Sequence, residues 1–542
     1  MLRLTEVRLP LDHPEDALPA AILQRLGIPA QDLLEFTVFR RGYDARKPSA
    51  IILTYTLDVT LKNEAAVLKR FAGDRHVTVA PDTGYKFVAQ APAGFSKRPV
   101  VIGFGPCGIF AALLLAQMGF RPIVLERGKA VRERTQDTWG LWRKSTLNPD
   151  SNVQFGEGGA GTFSDGKLYS QIKDPRYLGR KVLTEFVKAG APEEILYVSK
   201  PHIGTFKLVG MVEEMRADII ALGGEIRFSS RVEEIDIQRG SDDQGQVKGV
   251  RLIGGEYIET DHVVLAIGHS ARDTFEMLHG KGVYIEAKPF SIGVRIEHPQ
   301  SLIDRARFGA NAGHPLLGAA DYKLVHHAKN GRDAYSFCMC PGGTVVAATS
   351  EPNRVVTNGM SQYSRNERNA NSGIVVGVTP EQDYPGHPLA GIEFQRYWEA
   401  KAYEAGGGDY AAPAQRVGDF LAGRASTELG AVVPSYKPGV TPTDLSLCLP
   451  DFVVQTIRES LPAFGRQIRG FDMDDAIMTG VETRTSSPLR IKRNQDYQSL
   501  NTRGLFPAGE GAGYAGGILS AGVDGIEVAE AVALSLLGRQ VA

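Results

Sequence analysis

RPVVIGFGPCGIFAALLLAQMGFRPIVLERG, residues 98–128, reads as a complete strand–turn–helix–strand unit. PVVIGF is an unbroken apolar run, as a parallel strand buried on both faces requires. Gly103, Gly105 and Gly108 follow as G-x-G-x-x-G, with Pro106 and Cys107 inside the turn. CGIFAALLLAQMG supplies an apolar helix, and PIVLE a second strand ending in Glu126, with Arg127 the next cofactor-binding candidate. The glycine motif alone is a weak signal; its context here is complete. Gly103 admits the tight turn, Gly105 lets the backbone approach a diphosphate, and Gly108 lets helix and strand pack closely. Free N–H groups at the helix start, with the helix dipole, favour an anion there. Glu126 suits ribose hydroxyls, and its charge disfavours a 2′-phosphate. The unit predicts an ADP moiety seated on a helix N-terminus.

Two distant stretches narrow this reading. HVVLAIGHSARD (262–273) is a strand ending in A-I-G. It resembles the strand that passes close to the dinucleotide in flavoproteins with two dinucleotide-binding domains, which implies contacts from Ala266 and Gly268. GLFPAGEGAGYAGGILSAGVDGIEVAEAV (504–532) is similar to the C-terminal flavin motif of the same superfamily. There an acidic residue, here Glu510 after Gly509 where Asp is usual, approaches the ribityl chain or phosphate. Gly516, Gly517 and Ile518 then open a helix whose N-terminus faces the isoalloxazine. A reduced flavin carries negative charge at its N1–C2=O edge, which a helix N-terminus stabilises.

Further segments extend the resemblance over nearly the whole chain. They are RRGYDARKP, GEGGAGTFSDGKL (156–168), HIGTFKL (202–208), FCMCPGG (337–343), NGMS (358–361) and ETRTSSPLRI (482–491). In this order they resemble a bacterial family of uncharacterised FAD-dependent dehydrogenases, NAD(P)/FAD-dependent oxidoreductases of that superfamily. The resemblance implies FAD and a Rossmann-like α/β fold, and it carries no substrate. Only one G-x-G-x-x-G is present, so NAD(P)H is expected, if at all, as a transient reductant without its own Rossmann unit.

Composition sets the outer limits. The chain has 542 residues, enough for two to four domains. Its 61 basic and 62 acidic side chains leave a formal charge of -1, so no overall field favours nucleic acid. No apolar stretch of membrane-spanning length is present, and MLRLTEVRLPLDHPED lacks the pattern of a secretory signal. Four cysteines make no disulfide framework and suit a reducing, cytoplasmic setting. The expected order begins with an N-terminal α+β domain of ferredoxin-like pattern (1–95), set apart from the glycine motif. The FAD-binding domain starts at 99–284, is interrupted by a mainly β substrate domain (285–480), and is completed by 481–542. Oligomeric state stays open.

Chemistry-bearing candidates lie outside the glycine turn. Five glycines fall between residues 156 and 166. In related flavoproteins such a loop lies over the pyrophosphate or flavin ring, which marks Gly158, Gly159, Thr162, Ser164 and Lys167; the alternative is a surface loop. By position in the superfamily, Val232 reads the adenine edge. Cys338-Met339-Cys340 invites a redox reading, against the commoner one of buried thiols in a strand. No second Cys/His pair supports a metal. The polar stretch 358–373 reads as a loop beside a substrate pocket, with Arg365, Asn371 and Ser372 as candidates. Thr485, Ser486, Ser487 and Arg490 precede the C-terminal motif and are placed facing the flavin. RRGYDARK (40–47) is basic but reads chiefly as a solvated hairpin face. Two rival activities remain: a flavin monooxygenase or polyprenyl-type reductase, and a flavin-bearing RNA- or partner-binding protein.

Overall fold

A computed structural model describes residues 1–241 and 243–540. Its organising element is a five-stranded sheet, parallel throughout, in the order Leu505–Pro507, Val263–Leu265, Val100–Ile102, Ile123–Leu125, Glu225–Arg227. The first four strands are apolar triplets, almost fully buried, as the continuous runs in the sequence require. Helix Pro106–Gln117 follows the glycine turn with Pro106 at its first position and is buried from Cys107 to Ala116. It lies against helix Ile518–Leu536. Their approach is close because Gly525 has no side chain: a Cβ there would sit 2.4 Å from the Cys107 carbonyl oxygen.

An eight-stranded, largely antiparallel sheet forms the second layer. Strand Phe290–Pro299 lies near its centre, between Asn369–Val378 and Ile477–Glu482. The last strand runs through the expected boundary at 480/481, so this sheet's pairing continues to Glu482. Residues 358–373, expected as a loop, instead supply most of strand Thr357–Ser361, a turn, and half of strand Asn369–Val378. Their polarity misled because Asn371 and Ser372 are fully buried, Asn371 bonded to Arg295 and Ser372 to strand carbonyls rather than to water.

Residues 1–79 form a four-stranded antiparallel sheet in the order Leu33–Asp44, Ile52–Leu61, Leu2–Pro10, Val77–Val79, with two helices in a β-α-β-β-α-β succession. This sheet packs against the large sheet. Leu4, Leu57 and Val59 share one apolar cluster with Ile292, Ile374 and Phe464 of the large sheet and its helix. The basic segment keeps Arg40, Arg46 and Lys47 exposed, as a solvated hairpin face requires, while its backbone is bridged at Arg41. The Arg41 N–H donates to the Tyr197 carbonyl at 2.6 Å, and Ser199 N–H donates back to Arg41 at 2.8 Å. That bridge covers the exposed edge of strand Leu33–Asp44.

Candidate cofactor cleft

A cleft of about 370 Å³ opens along the carboxyl ends of the parallel strands and extends to the large sheet. This is where open α/β sheets bind their ligands. Gly103, Gly105, Pro106 and Cys107 line one wall, with Ala266 and Gly268 beside them and Gly509, Glu510, Gly516, Gly517 and Ile518 beyond. Two helix N-termini, at Pro106 and Ile518, therefore face one cavity. Gly103 has φ 97°, and a Cβ there would lie 2.3 Å from the Ala266 carbonyl oxygen. That turn needs glycine for both reasons. Gly108 does not line the cleft; it packs behind it, where a Cβ would strike the Gly103 carbonyl at 2.0 Å.

Glu126 lines the cleft and is a hub for backbone donors. One carboxylate oxygen accepts from Phe104 N–H at 2.8 Å; the other accepts from Gly128 at 2.8 Å and Gly156 at 2.9 Å. It thus ties the glycine turn to the Gly-rich loop, and with three of about four lone-pair sites taken one stays available for a hydroxyl group. Arg127 pairs with Asp273 at 2.8 Å and lies over the Phe155 ring at 4.3 Å. Val232 lines the cleft on the Glu126 side, with Ser230.

The Gly-rich loop enters the cleft through Gly159, Gly161, Ser164 and Lys167. Gly158 and Thr162 stay behind it, holding the loop's own shape. Gly158 N–H donates to the Phe104 carbonyl at 2.8 Å, and the Thr162 hydroxyl donates to the Glu157 carbonyl at 3.3 Å. What fixes the loop is a residue the sequence did not point to. Arg134 is wholly buried and donates to the carbonyls of Asn152, Val153, Glu157 and Gly159 at 2.6–2.8 Å. Burial pushes its guanidinium down to about 10, still well above neutrality.

The far wall comes from the large sheet: Phe337, Cys338, Asn358 and Glu482, followed by Arg484 and Thr485. Cys340 lies just behind, fully buried. Arg365 is removed from the cleft, paired with Asp165 at 2.5 Å, because that buried carboxylate needs a cation. Asn371 is also behind the wall, accepting from Arg295 at 3.2 Å within the sheet. Ser486, Ser487 and Arg490 do not line the cleft either. Ser487 instead donates to the Gly511 carbonyl at 3.0 Å.

Arg484 is anchored from behind by Glu399, which also holds Arg272 at 2.7 Å. Glu399 lies on helix Ala390–Gly406 and Arg272 on helix Arg272–Gly280, just after the A-I-G strand, so this triad joins the two large sheets. Arg295 similarly holds Glu482 at 2.6 Å. No sequence pattern marks these residues, because their partners lie far away along the chain. Among the described residues no group of three or more His, Cys, Asp or Glu side chains could hold a metal ion, and no helix is long and apolar enough to cross a membrane.

Two titratable groups sit at the Ile518 end. Burial pushes Glu510 up to about 7, and the neighbouring Cys338 adds to this. Burial, with Arg484 and Arg272 nearby, pushes His269 down to about 3, so it is neutral near pH 7. The Glu510 shift fixes a sign. Its folded value exceeds the ordinary 4.5, so its contribution to stability is full below 4.5 and lost as pH rises through about 7. Glu510→Gln is therefore expected to gain stability relative to wild type over that interval. The gain is on the order of 1–2 kcal/mol, short of the full shift because the side chain is partly open to solvent. Parallel denaturant melts of the two proteins at pH 5 and pH 8 measure it; an unchanged difference between them would remove the shift.

The chain matches a family model described as "FAD-dependent protein, C-terminal domain-like" over residues 289–485, and a domain of unknown function over residues 1–60. It is 47% identical over 530 residues to an uncharacterised protein of Clostridium beijerinckii, covering 98% of each chain. Solved structures with similar coordinates include a mutant of the halogenase PltM in complex with FAD, at a TM-score of 0.39, 12% identity and coverage of 82% and 70% of the two chains. They also include the L-amino acid deaminase of Proteus vulgaris, at 0.35, 11%, 84% and 97%. At scores this low the likeness carries no functional inference.

Proposed function

The chain belongs to a family of uncharacterised FAD-dependent proteins, and on that premise we propose that it is an FAD-dependent oxidoreductase. The observation that carries this reading is the single cleft faced by two helix N-termini, one after a G-x-G-x-x-G turn and one after the C-terminal glycines. A dinucleotide with an anionic diphosphate at one end and a ring that gains negative charge at the other is what such a cleft suits. Gly105 and the N–H groups from Cys107 onward would take the diphosphate, Glu126 the adenosine ribose, and Val232 the adenine edge. Glu510 and the Gly517–Ile518 turn would meet the ribityl and ring end. Residues 99–284 with 481–542 are read as the FAD-binding domain, and 285–480 as the substrate-facing domain.

Bound FAD would supply a two-electron acceptor and donor. The protein's own residues supply position and charge. The helix beginning at Ile518 points its N–H groups into the cleft, where developing negative charge is stabilised. Neutral His269 adds no cation there, and Glu510 is poised to hold or release a proton near pH 7. Phe337, Cys338 and Asn358 on the sheet wall are placed to meet substrate. The dehydrogenase or reductase direction, with NAD(P)H as a transient donor and a cytoplasmic setting, completes the reading. The test is the colour of the pure protein: it is expected to carry one FAD per chain, or to take it up stoichiometrically after stripping. A preparation that neither retains nor rebinds FAD would overturn it.

A further inference from the structure

Strand Asp333–Ala347 is irregular where it passes the cleft. Its register against Asn369–Val378 slips between Phe337 and Cys340 and again between Cys340 and Gly343. Inside the first slip Cys338 has φ 44°, in the left-handed region that non-glycine residues seldom occupy. This distortion turns Cys338 into the cleft while Cys340 stays fully buried behind it. Two cations converge on the same turn. Lys167 from the Gly-rich loop donates to the Met339 carbonyl, and Arg295 donates to the Cys338 carbonyl at 2.8 Å. The Cys340 sulfur belongs to the cluster too: a Cβ on Gly359 would lie 2.6 Å from the Arg295 guanidinium and 3.0 Å from the Cys340 sulfur.

The two thiols are therefore unequal. The Cys340 thiol beside it, helped by Lys167 and Arg295, holds Cys338 well below the ordinary thiol range. Cys340, whose sulfur donates to the Cys338 carbonyl at 3.3 Å, is pushed up by the neighbouring Cys338 and by burial. The other cysteines, Cys107 and Cys448, are buried, and burial raises both. One accessible nucleophile beside one shielded partner is the division of labour of a dithiol that attacks and then resolves.

We propose that Cys338 and Cys340 form a dithiol–disulfide couple at the cleft, acting on small disulfides, with Cys338 attacking and Cys340 resolving. The Cys338 thiolate bonds to one substrate sulfur as the substrate S–S bond breaks, and the first thiol departs with a proton from water. Cys340 then gives up its proton and attacks the Cys338 sulfur, closing the Cys338–Cys340 bond and expelling the second thiol. The substrate gains two electrons and two protons; the pair loses two electrons. It returns to the dithiol with two electrons from a hydride donor of the flavin or nicotinamide class.

The test uses the intact, reduced protein and cystamine as the probe disulfide, read by mass spectrometry of the whole chain and its peptides. Wild type is expected to end with an internal Cys338–Cys340 disulfide and no retained adduct. Cys340→Ser is expected to hold a stable cysteamine adduct on Cys338, and Cys338→Ser to react at least about tenfold more slowly. A persistent adduct on wild-type Cys338 overturns the couple, as does equal reactivity of Cys338→Ser. Flavin content measured in the same samples keeps this result separate from the FAD reading, because exchange with cystamine needs no flavin.

Discussion

Gly105→Val is expected to give a folded, colourless protein. The structure separates this position from the other two glycines of the motif. Gly103 and Gly108 are enclosed by backbone: a Cβ on either would come within 2.3 Å of a carbonyl oxygen, so substituting them damages the fold itself. Gly105 has ordinary φ of -83°, and a Cβ there meets nothing nearer than the Gly159 Cα at 3.5 Å. Its surroundings tolerate an added carbon, and what that carbon fills is the cleft. Gly105→Ala should weaken FAD binding, and the valine should drop bound flavin by two orders of magnitude or more, about 3 kcal/mol of lost affinity. Melting temperatures of the flavin-free variants should stay close to wild type. Full flavin content in Gly105→Val would move the diphosphate away from this turn.

Glu399→Ala should produce the largest loss of stability. The carboxylate is fully buried and accepts from Arg272, Arg484 and the Thr483 hydroxyl at 2.7–3.2 Å. Burial alone would raise its pKa, but the two guanidinium groups outweigh that and hold it well below the ordinary carboxyl range. Removing it leaves buried Arg484 with only the Ser270 and Ser350 hydroxyls, while Arg272 keeps Glu351 at 2.5 Å; stranding one such cation costs about 3–5 kcal/mol. Glu399→Gln keeps the shape and some hydrogen bonds and should lose less. The sign with pH is fixed. A depressed carboxyl contributes fully above its ordinary value of 4.5, and the contribution fades as pH falls, so wild type and Glu399→Gln should converge in acid. Denaturant unfolding midpoints at pH 7 and pH 3 measure both effects. A loss under about 1 kcal/mol in Glu399→Ala would show that the cluster relaxes or hydrates. Arg484 lines the cleft, so the same variant should also bind FAD more weakly.

These two positions show what a single sequence makes legible. The glycine turn, its helix and the strand ending at Glu126 are contiguous, and their roles follow from local backbone geometry. The A-I-G strand and the C-terminal glycines are short, and the structure brings both to the cleft. The far wall obeys no local rule. Glu399 needs Arg272 and Arg484, and Arg295 needs Glu482, across spans of about 90–190 residues that no periodicity records. Residues 358–373 read as a loop because a buried polar layer and a solvated turn share one composition. Arg134 is buried because carbonyls from residues 152–159 fold back around it, which its own segment does not record.

The parallel sheet carries a consequence for synthesis. Its central strands come from residues 100–125, but the edge strand Leu505–Pro507 and the helix start at Ile518 come about 400 residues later. At roughly 5–20 residues per second, a ribosome needs tens of seconds to cover that interval. For that time the glycine turn exists without the opposite end of its cleft. A chain that stops early can therefore fold its first layers yet hold no complete cofactor seat, and occupancy by FAD becomes a report that translation reached the final helix.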